Sequence, residues 1–462
     1  MGKTIITNRH FGIILSSIIA LHVFLLLSIH FFPYPELFVY PYLTKIGLVP
    51  YKEILDQHFP GLMFFPLNLA TLGFTTPASF RLLQIGCVLL SHVGILLLTR
   101  MLTKNKLKIL TVSLLYVIWQ SYFEGYTVWI ETFITPILLF GCYFLIKGIE
   151  STSRRQLVGS GILLGIALVM KQVVLPLILL LGLILWIKKV RWSLLQWIGV
   201  GIGIPLVVLG VFVLARGIIL DFWYWTVIFN VSVFREMGRK FATPREALTL
   251  LAFCSVALGS LLVQLKSKNV ALSRLLIGTF FLGSFAFAYA RFDFIHLQPL
   301  VPFALVLTAT IEIKSKRFML GLLMAYVVGS VIFGARFFTR YWGPSVKFFD
   351  QQDYVVFNEV SERVSKGDAV FAFATYPHVY AMTETHPAGN VFVFHFPWFM
   401  KVSEKRILAG LMMDKPKVVL RDMNATTDGY NLVTYMPEIS RYIERYYKVD
   451  EIVGQTEIMI PR

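Results

Sequence analysis

The feature that most constrains the fold is a series of eleven mostly apolar stretches separated by more polar segments, most of them short. An apolar helix of about 17–25 residues can cross a bilayer, so each stretch is a candidate span. A composition of 56% hydrophobic and 15% charged residues also favours a membrane protein over a soluble one. The sequence therefore predicts an α-helical polytopic membrane protein with about eleven transmembrane helices, at residues 11–32, 79–100, 107–123, 128–148, 157–172, 173–188, 194–215, 246–265, 273–290, 298–313 and 317–337. The break between the fifth and sixth spans rests on Lys171-Gln172 and Pro176.

The links are alternately rich in Lys and Arg, which predicts the orientation of the chain. Cytoplasmic links of membrane proteins carry an excess of basic residues. With eleven spans, six basic links fall on one side: Lys3 and Arg9; Arg100, Lys104, Lys106 and Lys108; Lys147, Arg154 and Arg155; Lys188, Lys189 and Arg191; Lys266, Lys268 and Arg274; Lys314, Lys316 and Arg317. We expect a plasma-membrane protein with a cytoplasmic N-terminus. The segments 33–78, 216–245 and 338–462 are then outside. These links also account for the net charge of +17, so no nucleic-acid partner is predicted.

Residues 338–462 differ in character from the apolar part of the chain. Runs typical of strands, AVFAFA (369–374), VFVFH (391–395) and KVVLRD (417–422), alternate with helix-like segments. This alternation predicts an α/β fold, and about 125 residues suffice for one core. We therefore predict two domains, a transmembrane domain over 1–337 with the external loop 33–78, and a soluble extracytoplasmic α/β domain over 338–462. Cys87, Cys142 and Cys254 lie in apolar stretches, so neither a disulfide nor a thiolate metal site is indicated.

The loop after the first apolar stretch, PYPELFVYPYLTKIGLVPYKEILDQHFPG (33–61), concentrates polar residues beside a membrane span. It places Glu36, Glu53, Asp56 and His58 among prolines and tyrosines. A positioned carboxylate can accept a proton from a reacting hydroxyl. These acids are therefore candidates for chemistry at the outer membrane surface.

Other polar residues lie at the predicted outer ends of spans, where ionisable groups are functional candidates. An acid there can equally be solvated by water or headgroups, and for a lone lysine snorkelling is the simpler interpretation. External basic residues run against the positive-inside bias and suit an anionic headgroup or phosphate. The further candidates are Glu124, Glu131, Lys171, Gln172, Arg216, Arg235, Arg239, Arg291 and His296.

Together these residues resemble the GT-C superfamily of polytopic glycosyltransferases. The closest resemblance is to the branch of protein O-mannosyltransferases, lipid A aminoarabinose transferases and RgtA/B/C/D-like bacterial enzymes. The elements that carry it are Pro35-Glu36, GLVPYKE (47–53), Asp56, His58, Pro60-Gly61, Glu131, the turn Arg291 to Pro302, and SKGDAVFAFA and RYYKV in the tail. The similarity covers nearly the whole chain. One departure is Pro35, which stands where the family usually has its first-loop aspartate.

The resemblance implies transfer of a hexosyl or pentosyl group from a polyprenyl-phosphate carrier to a glycan, lipid or protein acceptor outside the cytoplasm, with inversion at the anomeric carbon. Such a reaction needs a carboxylate to deprotonate the acceptor hydroxyl and cations to stabilise the departing phosphate. Glu36 is the first choice for the base and Asp56 the second, with Glu131 as a further acid. The cations considered for the phosphate are Lys171, Arg216, Arg235, Arg239 and Arg291.

Two other functions stay open, a lipid-linked sugar flippase and an inactive scaffold. Transporters more often place ionisable groups at mid-span, and these spans carry few polar groups there, chiefly His22, Gln84 and His92, which favours an enzyme. The scaffold is suggested by Pro35. No cofactor is predicted. We also expect no metal, because the first loop lacks Asp-x-Asp and its dispersed acids are not a recognisable ligand set.

Overall fold

The computed structural model describes residues 6–265, 270–310 and 316–462. Lys3, Lys266, Lys268 and Lys314 of the predicted basic links lie outside these ranges.

Each of the eleven predicted apolar stretches contains a helix within the described residues. The helices are Asn8–Ser28, Pro77–Leu102, Lys106–Gln120, Ile130–Glu150, Arg154–Met170, Leu175–Ile187, Trp192–Ala215, Pro244–Leu265, Leu272–Gly283, Leu300–Thr308 and Lys316–Tyr341. Six of these helical stretches are long and apolar enough to cross a membrane. The other helices have between 9 and 17 residues. The predicted class, a polytopic α-helical membrane protein, is confirmed.

The described chain divides into two compact units. The first comprises the described parts of Met1–Phe31, Arg81–Val208 and Lys240–Ser345, and the second Phe32–Phe80, Leu209–Arg239 and Val346–Arg462. The predicted boundary near residue 338 falls within the helix Lys316–Tyr341 and stays a prediction.

Small residues let helices of the first unit approach closely. A Cβ atom on Gly161 would lie 2.3 Å from the carbonyl oxygen of Ile198, and one on Gly201 would lie 2.3 Å from that of Val158. Glycine at these two positions therefore allows Arg154–Met170 and Trp192–Ala215 to pack backbone to backbone. Such contacts suit a membrane, where helices associate through close packing rather than through the hydrophobic effect.

Three of the helices are joined by a buried polar network at the level of His22. His22 Nδ1 lies 2.9 Å from His92 Nε2, and His22 Nε2 lies 3.0 Å from Gln120 Oε1. The amide nitrogen of Gln120 in turn donates to the carbonyl of Gly125 at 3.4 Å, and that of Gln84 donates to the same oxygen at 2.5 Å. The network thus connects Asn8–Ser28 to Pro77–Leu102 and Lys106–Gln120. Polar groups inside a bilayer need such internal partners, because water is absent there.

The second unit contains a five-stranded mixed sheet formed by the tail. Its strands are, in sheet order, Tyr447–Val453, Thr456–Pro461, Val418–Asp422, Ala369–Phe373 and His386–Pro387. The central pair, Ala369–Phe373 and Val418–Asp422, is parallel, and Thr456–Pro461 pairs antiparallel with Val418–Asp422. The helices Gln351–Arg363, Pro397–Met413 and Pro437–Tyr446 accompany the sheet. The α/β character predicted for the tail is confirmed.

The predicted run VFVFH (391–395) forms only the short strand Phe392–Val393, which lies outside that sheet. It pairs in parallel with Ile54–Leu55 of the first loop. The backbone N–H of Phe392 also donates to the Glu53 carbonyl at 2.8 Å. The run therefore pairs with the first loop rather than with a strand of the tail.

We predict that His22→Leu lowers the stability of the folded protein. It would leave Gln120 Oε1 and His92 Nε2 without their partner, at a cost of about 0.6–2 kcal/mol for a lost interhelical hydrogen bond. Thermal unfolding in detergent measures the effect. Leu21→Ala, on the exposed side of the same helix, is the control. Equal unfolding temperatures for His22→Leu and wild type would contradict a stabilising network.

Candidate functional site

In the second unit, an acid cluster forms where the first loop turns back on its own helix. The helix Glu36–Lys45 begins directly after Pro35, and one turn later carries Tyr40. The Tyr40 hydroxyl donates to Asp56 Oδ2 at 2.8 Å. Asp56 Oδ1 accepts from the backbone N–H of His58 at 2.7 Å and lies 3.0 Å from its Nδ1. The Asp56 carboxylate is thus buried and held by donors on both oxygens.

Glu36 lies in the same cluster but in a different electrostatic situation. Its side chain is buried, and Oε2 has no hydrogen-bond partner among the described residues. Burial raises the pKa of Glu36 to about 8, and the negative charge of Asp56 adds to that rise. Most Glu36 carboxyls are therefore protonated at neutral pH.

Two further residues shape the loop around Asp56. Tyr51 is fully buried with φ at 65°, an unusual left-handed backbone for a bulky side chain, and its hydroxyl donates to the His58 carbonyl at 2.8 Å. Glu53 Oε2 accepts from the backbone N–H of Val49 at 2.6 Å, closing the turn before the strand Ile54–Leu55. Among the described residues, no group of three or more His, Cys, Asp or Glu side chains is arranged to hold a metal ion.

The first unit contains a second cluster, built from three segments far apart in sequence. Glu131 lies in the first turn of Ile130–Glu150, Lys171 follows the end of Arg154–Met170, and His296 lies in the short turn Phe294–Leu297. The Lys171 ammonium donates to Glu131 Oε1. His296 Nδ1 lies 2.7 Å from the same oxygen and 3.3 Å from Lys171 Nζ.

The charged side chains of this cluster are buried. Glu131 has no exposed surface, and Lys171 is only 6% exposed. The environment of Glu131 is thus not that of a solvated interfacial acid, and the ammonium of Lys171 meets a carboxylate rather than solvent. Glu131 Oε2 is also buried and has no partner within the described chain, so the hydrogen bonds of this carboxylate are those that Oε1 makes with Lys171 and His296.

Glu124 lies in a strained turn between Lys106–Gln120 and Ile130–Glu150, where it adopts a left-handed conformation (φ 56°, ψ 32°). A residue distant in sequence stabilises this turn, because the side-chain amide of Gln298 donates to the Glu124 carbonyl at 3.1 Å. Burial raises the pKa of Glu124 to about 7. The charge of Asp293 adds to the rise and that of Lys240 opposes it. Asp293 is itself paired with Lys240, at 2.5 Å, and with Arg291, at 3.3 Å.

The predicted candidates therefore fall into separate groups. Glu36, Glu53, Asp56 and His58 lie together in the second unit, whereas Glu131, Lys171 and His296 meet in the first. Gln172 begins the short helix Gln172–Val174 next to Lys171. Arg216 and Arg235 are exposed and Arg239 is half-buried, all in the second unit, and Arg291 binds Asp293 in the first. No ion pair involves Arg216 or Arg235 within the described ranges.

Sequence reasoning missed several residues that complete the two groups. Tyr40 and Tyr51 contact Asp56 and His58, and Lys240 and Asp293 surround Glu124. For Tyr40 a signal was available, because it lies four residues after Glu36 and so on the same face of a helix. Lys240 and Asp293 are separated by more than fifty residues, and no local pattern links them.

These features define a polytopic helical membrane protein with buried acid and cation clusters and a mixed α/β tail. Residues 62–215 match the family of dolichyl-phosphate-mannose-protein mannosyltransferases. No curated protein sequence gives a significant match.

Solved structures share the fold of the chain. ArnT from Cupriavidus metallidurans, crystallised with undecaprenyl phosphate, superposes with a TM-score of 0.65 at 11% identity, over 98% of each chain. The oligosaccharyltransferase of Archaeoglobus fulgidus, tethered to an acceptor peptide, gives 0.53 at 12% identity, over 97% of this chain and 73% of that one. The same organism's AglB with dolichol phosphate and an inhibitory peptide gives 0.52 at 12% identity, covering 96% and 74%. The resemblance to the GT-C superfamily expected from the sequence is confirmed.

We predict that Lys171→Met strongly destabilises the protein, because it leaves the Glu131 charge buried without its cation. Breaking a buried pair in this way typically costs about 3–5 kcal/mol. The double variant Glu131→Gln/Lys171→Met should recover much of that loss, since neither charge is then present. Unfolding in detergent provides the measurement.

The matched control for this cycle is Lys147→Met, which removes an exposed ion pair with Glu150. Exposed pairs contribute about 0–1 kcal/mol, so this variant should unfold close to wild type. A Lys171→Met protein as stable as Lys147→Met would show that the buried pair is not needed for the fold.

Proposed function

We propose that the protein is a glycosyltransferase that moves a sugar from a polyprenyl-phosphate carrier to an acceptor outside the cytoplasm. The observation that carries the proposal is the shared fold, over 98% of both chains, with ArnT, whose crystals hold undecaprenyl phosphate. The match of residues 62–215 to dolichyl-phosphate-mannose-protein mannosyltransferases supports the same class of donor.

The reaction uses a sugar that already carries a phosphate leaving group. The protein must take a proton from the attacking acceptor hydroxyl and stabilise the charge on the departing lipid phosphate. Direct attack by that hydroxyl inverts the configuration of the anomeric carbon. We therefore propose an inverting transfer. Arg216, Arg235 and Arg239 supply exposed or half-buried cations for the phosphate, and a guanidinium suits this anion because it donates in a bidentate manner.

We assign the base to Asp56 rather than to Glu36, the first choice from the sequence. A general base must be ionised at the working pH. With a pKa of about 8, only about a tenth of Glu36 is ionised at pH 7. Asp56 instead has donors from Tyr40 and His58 that hold its carboxylate in one orientation. On this assignment Pro35 does not prevent activity, because the carboxylate lies later in the same loop.

No observation favours a flippase. The ionisable mid-span residues His22 and His92 bond to each other and to Gln120, rather than lining a described pathway. Metal independence stays a prediction. The proposed place of the protein is the plasma membrane, with the N-terminus in the cytoplasm and the first loop and the tail outside.

We predict that Asp56→Asn lowers the rate of sugar transfer by about 10²–10⁴-fold, the usual contribution of a positioned base. Glu36→Gln should keep most of the turnover. Transfer from radiolabelled mannosyl undecaprenyl phosphate by the purified protein is the measurement, and Tyr40→Phe, which removes one donor to Asp56, is the intermediate case.

The pH dependence of the transfer rate is a second, independent test of whether Glu36 or Asp56 is the base. If Glu36 were the base, the wild-type rate would rise about tenfold per pH unit below its pKa and level off above about 8. If Glu36 is not the base, the rate shows no inflection that depends on Glu36 near pH 8. A wild-type inflection near pH 8 that Glu36→Gln abolishes, together with the activity, would refute our assignment.

For the orientation, we predict that a cysteine replacing the exposed Lys45 reacts with an impermeant thiol reagent added outside cells, and that one replacing the exposed Lys104 does not. The background replaces Cys87, Cys142 and Cys254 with alanine. The reverse pattern of labelling would place the loop in the cytoplasm and exclude an external acceptor.

A further inference from the structure

A helical segment of the second unit, residues 219–237, follows directly after a helix that is long enough to cross a membrane. That helix, Trp192–Ala215, has 24 residues. At 1.5 Å per residue it is about 36 Å long, whereas the hydrocarbon core of a bilayer is about 30 Å thick. Its end at Ala215 therefore lies at a bilayer surface. The chain then turns at Gly217, which has a left-handed φ of 62°, and the segment begins at Ile219.

One face of this segment packs on the tail within the second unit. Phe229 stacks on Phe399, with ring centroids 5.2 Å apart and planes within 7° of parallel. The ring of Trp225 lies 6.0 Å from the same phenyl ring. The segment is thus docked on the folded body of the unit along its length, through the turns Ile219–Trp223, Tyr224–Ile228, Asn230–Phe234 and Arg235–Met237.

The opposite face of the segment presents a row of exposed apolar and aromatic side chains. Leu220 is 80% exposed and Val231 is 61% exposed. Members of the row recur at intervals of three or four residues, so they share one side of a helix. The row consists of Ile219, Leu220, Trp223, Tyr224, Ile228 and Val231. A contiguous apolar surface of this kind marks a site of interaction with a protein or a membrane.

The chain connections of the segment favour a membrane. Residues 216–218 join it to Trp192–Ala215, and residues 238–243 join it to Pro244–Leu265, which also contains a stretch long and apolar enough to span a bilayer. Exposed arginines lie near its two ends, at Arg216 and Arg235. Amphipathic helices that lie in a membrane interface combine such an apolar face with basic residues that meet anionic headgroups.

We propose that the segment lies in the surface layer of the bilayer, with Leu220, Trp223 and Val231 among the upper acyl chains and the two arginines at the headgroups. Trp and Tyr, which the row also contains, are enriched at this depth of membranes. The partner of the row is therefore a lipid surface rather than a second copy of the chain. This inference goes beyond the proposed function and does not depend on it.

The segment also contacts the first loop, so its position in the membrane determines that of the loop. The ring of Phe222 lies 5.3 Å from that of Tyr51, and the side-chain amide of Asn230 donates to the Gln57 carbonyl at 3.1 Å. Asp56, next to Gln57, is thereby held beside the inserted segment. The phosphate of a polyprenyl carrier also lies at the bilayer surface, and the use of that phosphate as donor group is the one consequence that rests on the proposed function.

Spin labels test the depth of the row in the full-length protein. Single cysteines replace Leu220, Trp223 or Val231 in the background without Cys87, Cys142 and Cys254, and the labelled protein is reconstituted into vesicles of phosphatidylcholine and phosphatidylglycerol. We expect these labels to collide more often with oxygen, which concentrates in hydrocarbon, than with a water-soluble nickel chelate.

Ile452 is the matched control for the spin labels. It is 62% exposed, close to the value for Val231, but it lies on the edge strand Tyr447–Val453 of the sheet. A label there should collide mainly with the nickel chelate. If the row gives the pattern expected of the control, the proposal is overturned. Spectral broadening between labels on different copies would also overturn it, because a second copy would then cover the row.

A second measurement uses the wild-type protein, so no variant has to fold. A phospholipid with a diazirine in the upper part of its acyl chain is photolysed in the same vesicles. Trypsin cuts after Arg216 and Arg235 and releases the peptide 217–235. We expect lipid adducts on this peptide and none on 449–462, which contains Ile452. Adducts on the membrane-spanning helices without any on 217–235 would refute the proposal. Neither measurement involves sugar transfer, so an inactive protein would refute the proposed function and leave this result standing.

Discussion

The ion pair between Lys171 and Glu131 is the interaction on which the first unit most depends. A carboxylate without exposed surface would be very unfavourable in an apolar helical interior, and its pairing with a buried ammonium and an imidazole makes it tolerable. The three side chains come from the start of one helix, the end of another and a short turn. The pair and His296 together therefore hold three segments relative to each other, and the contact with Glu131 orients His296.

The sequence predicts the helices well and their polar contacts poorly, for a physical reason. Apolar stretches are local patterns, and each predicted stretch contains a helix, with the break after Met170 where Lys171-Gln172 indicated it. The strands Ala369–Phe373 and Val418–Asp422 also follow from local sequence, because both lie in runs typical of strands. The partners of Lys171 are 40 and 125 residues away, and only the fold brings them together. Snorkelling was the simpler interpretation for a lysine whose neighbours in sequence gave no carboxylate.

The first loop shows the same limit of prediction from sequence. It also shows how later segments of the chain hold a loop in place. Its acids were visible in the sequence, but the order of preference between Glu36 and Asp56 depends on burial and on donors such as Tyr40. Within the second unit, later segments anchor this loop. Besides the strand pairing at Ile54–Leu55, Tyr42 donates to the Thr385 carbonyl at 3.0 Å and Asn230 to the Gln57 carbonyl at 3.1 Å. The loop that carries Asp56 is thus folded as part of an α/β body rather than as a free linker.

The donor and the acceptor of each hydrogen bond around His22 can be assigned. The Gly125 carbonyl only accepts, so the amide nitrogen of Gln120 faces it and its oxygen faces His22. His22 then carries its hydrogen on Nε2 and accepts on Nδ1 from His92. The buried residues of Asn8–Ser28 are Phe11, Ile18, His22 and Leu26. Contacts between apolar side chains have no fixed direction, so they allow a helix to rotate or slide. A directional bond to a fixed amide opposes both motions, so His22 contributes to the rotation and depth of the first helix, together with the bond from the Gly343 N–H to the Ser28 carbonyl at its end.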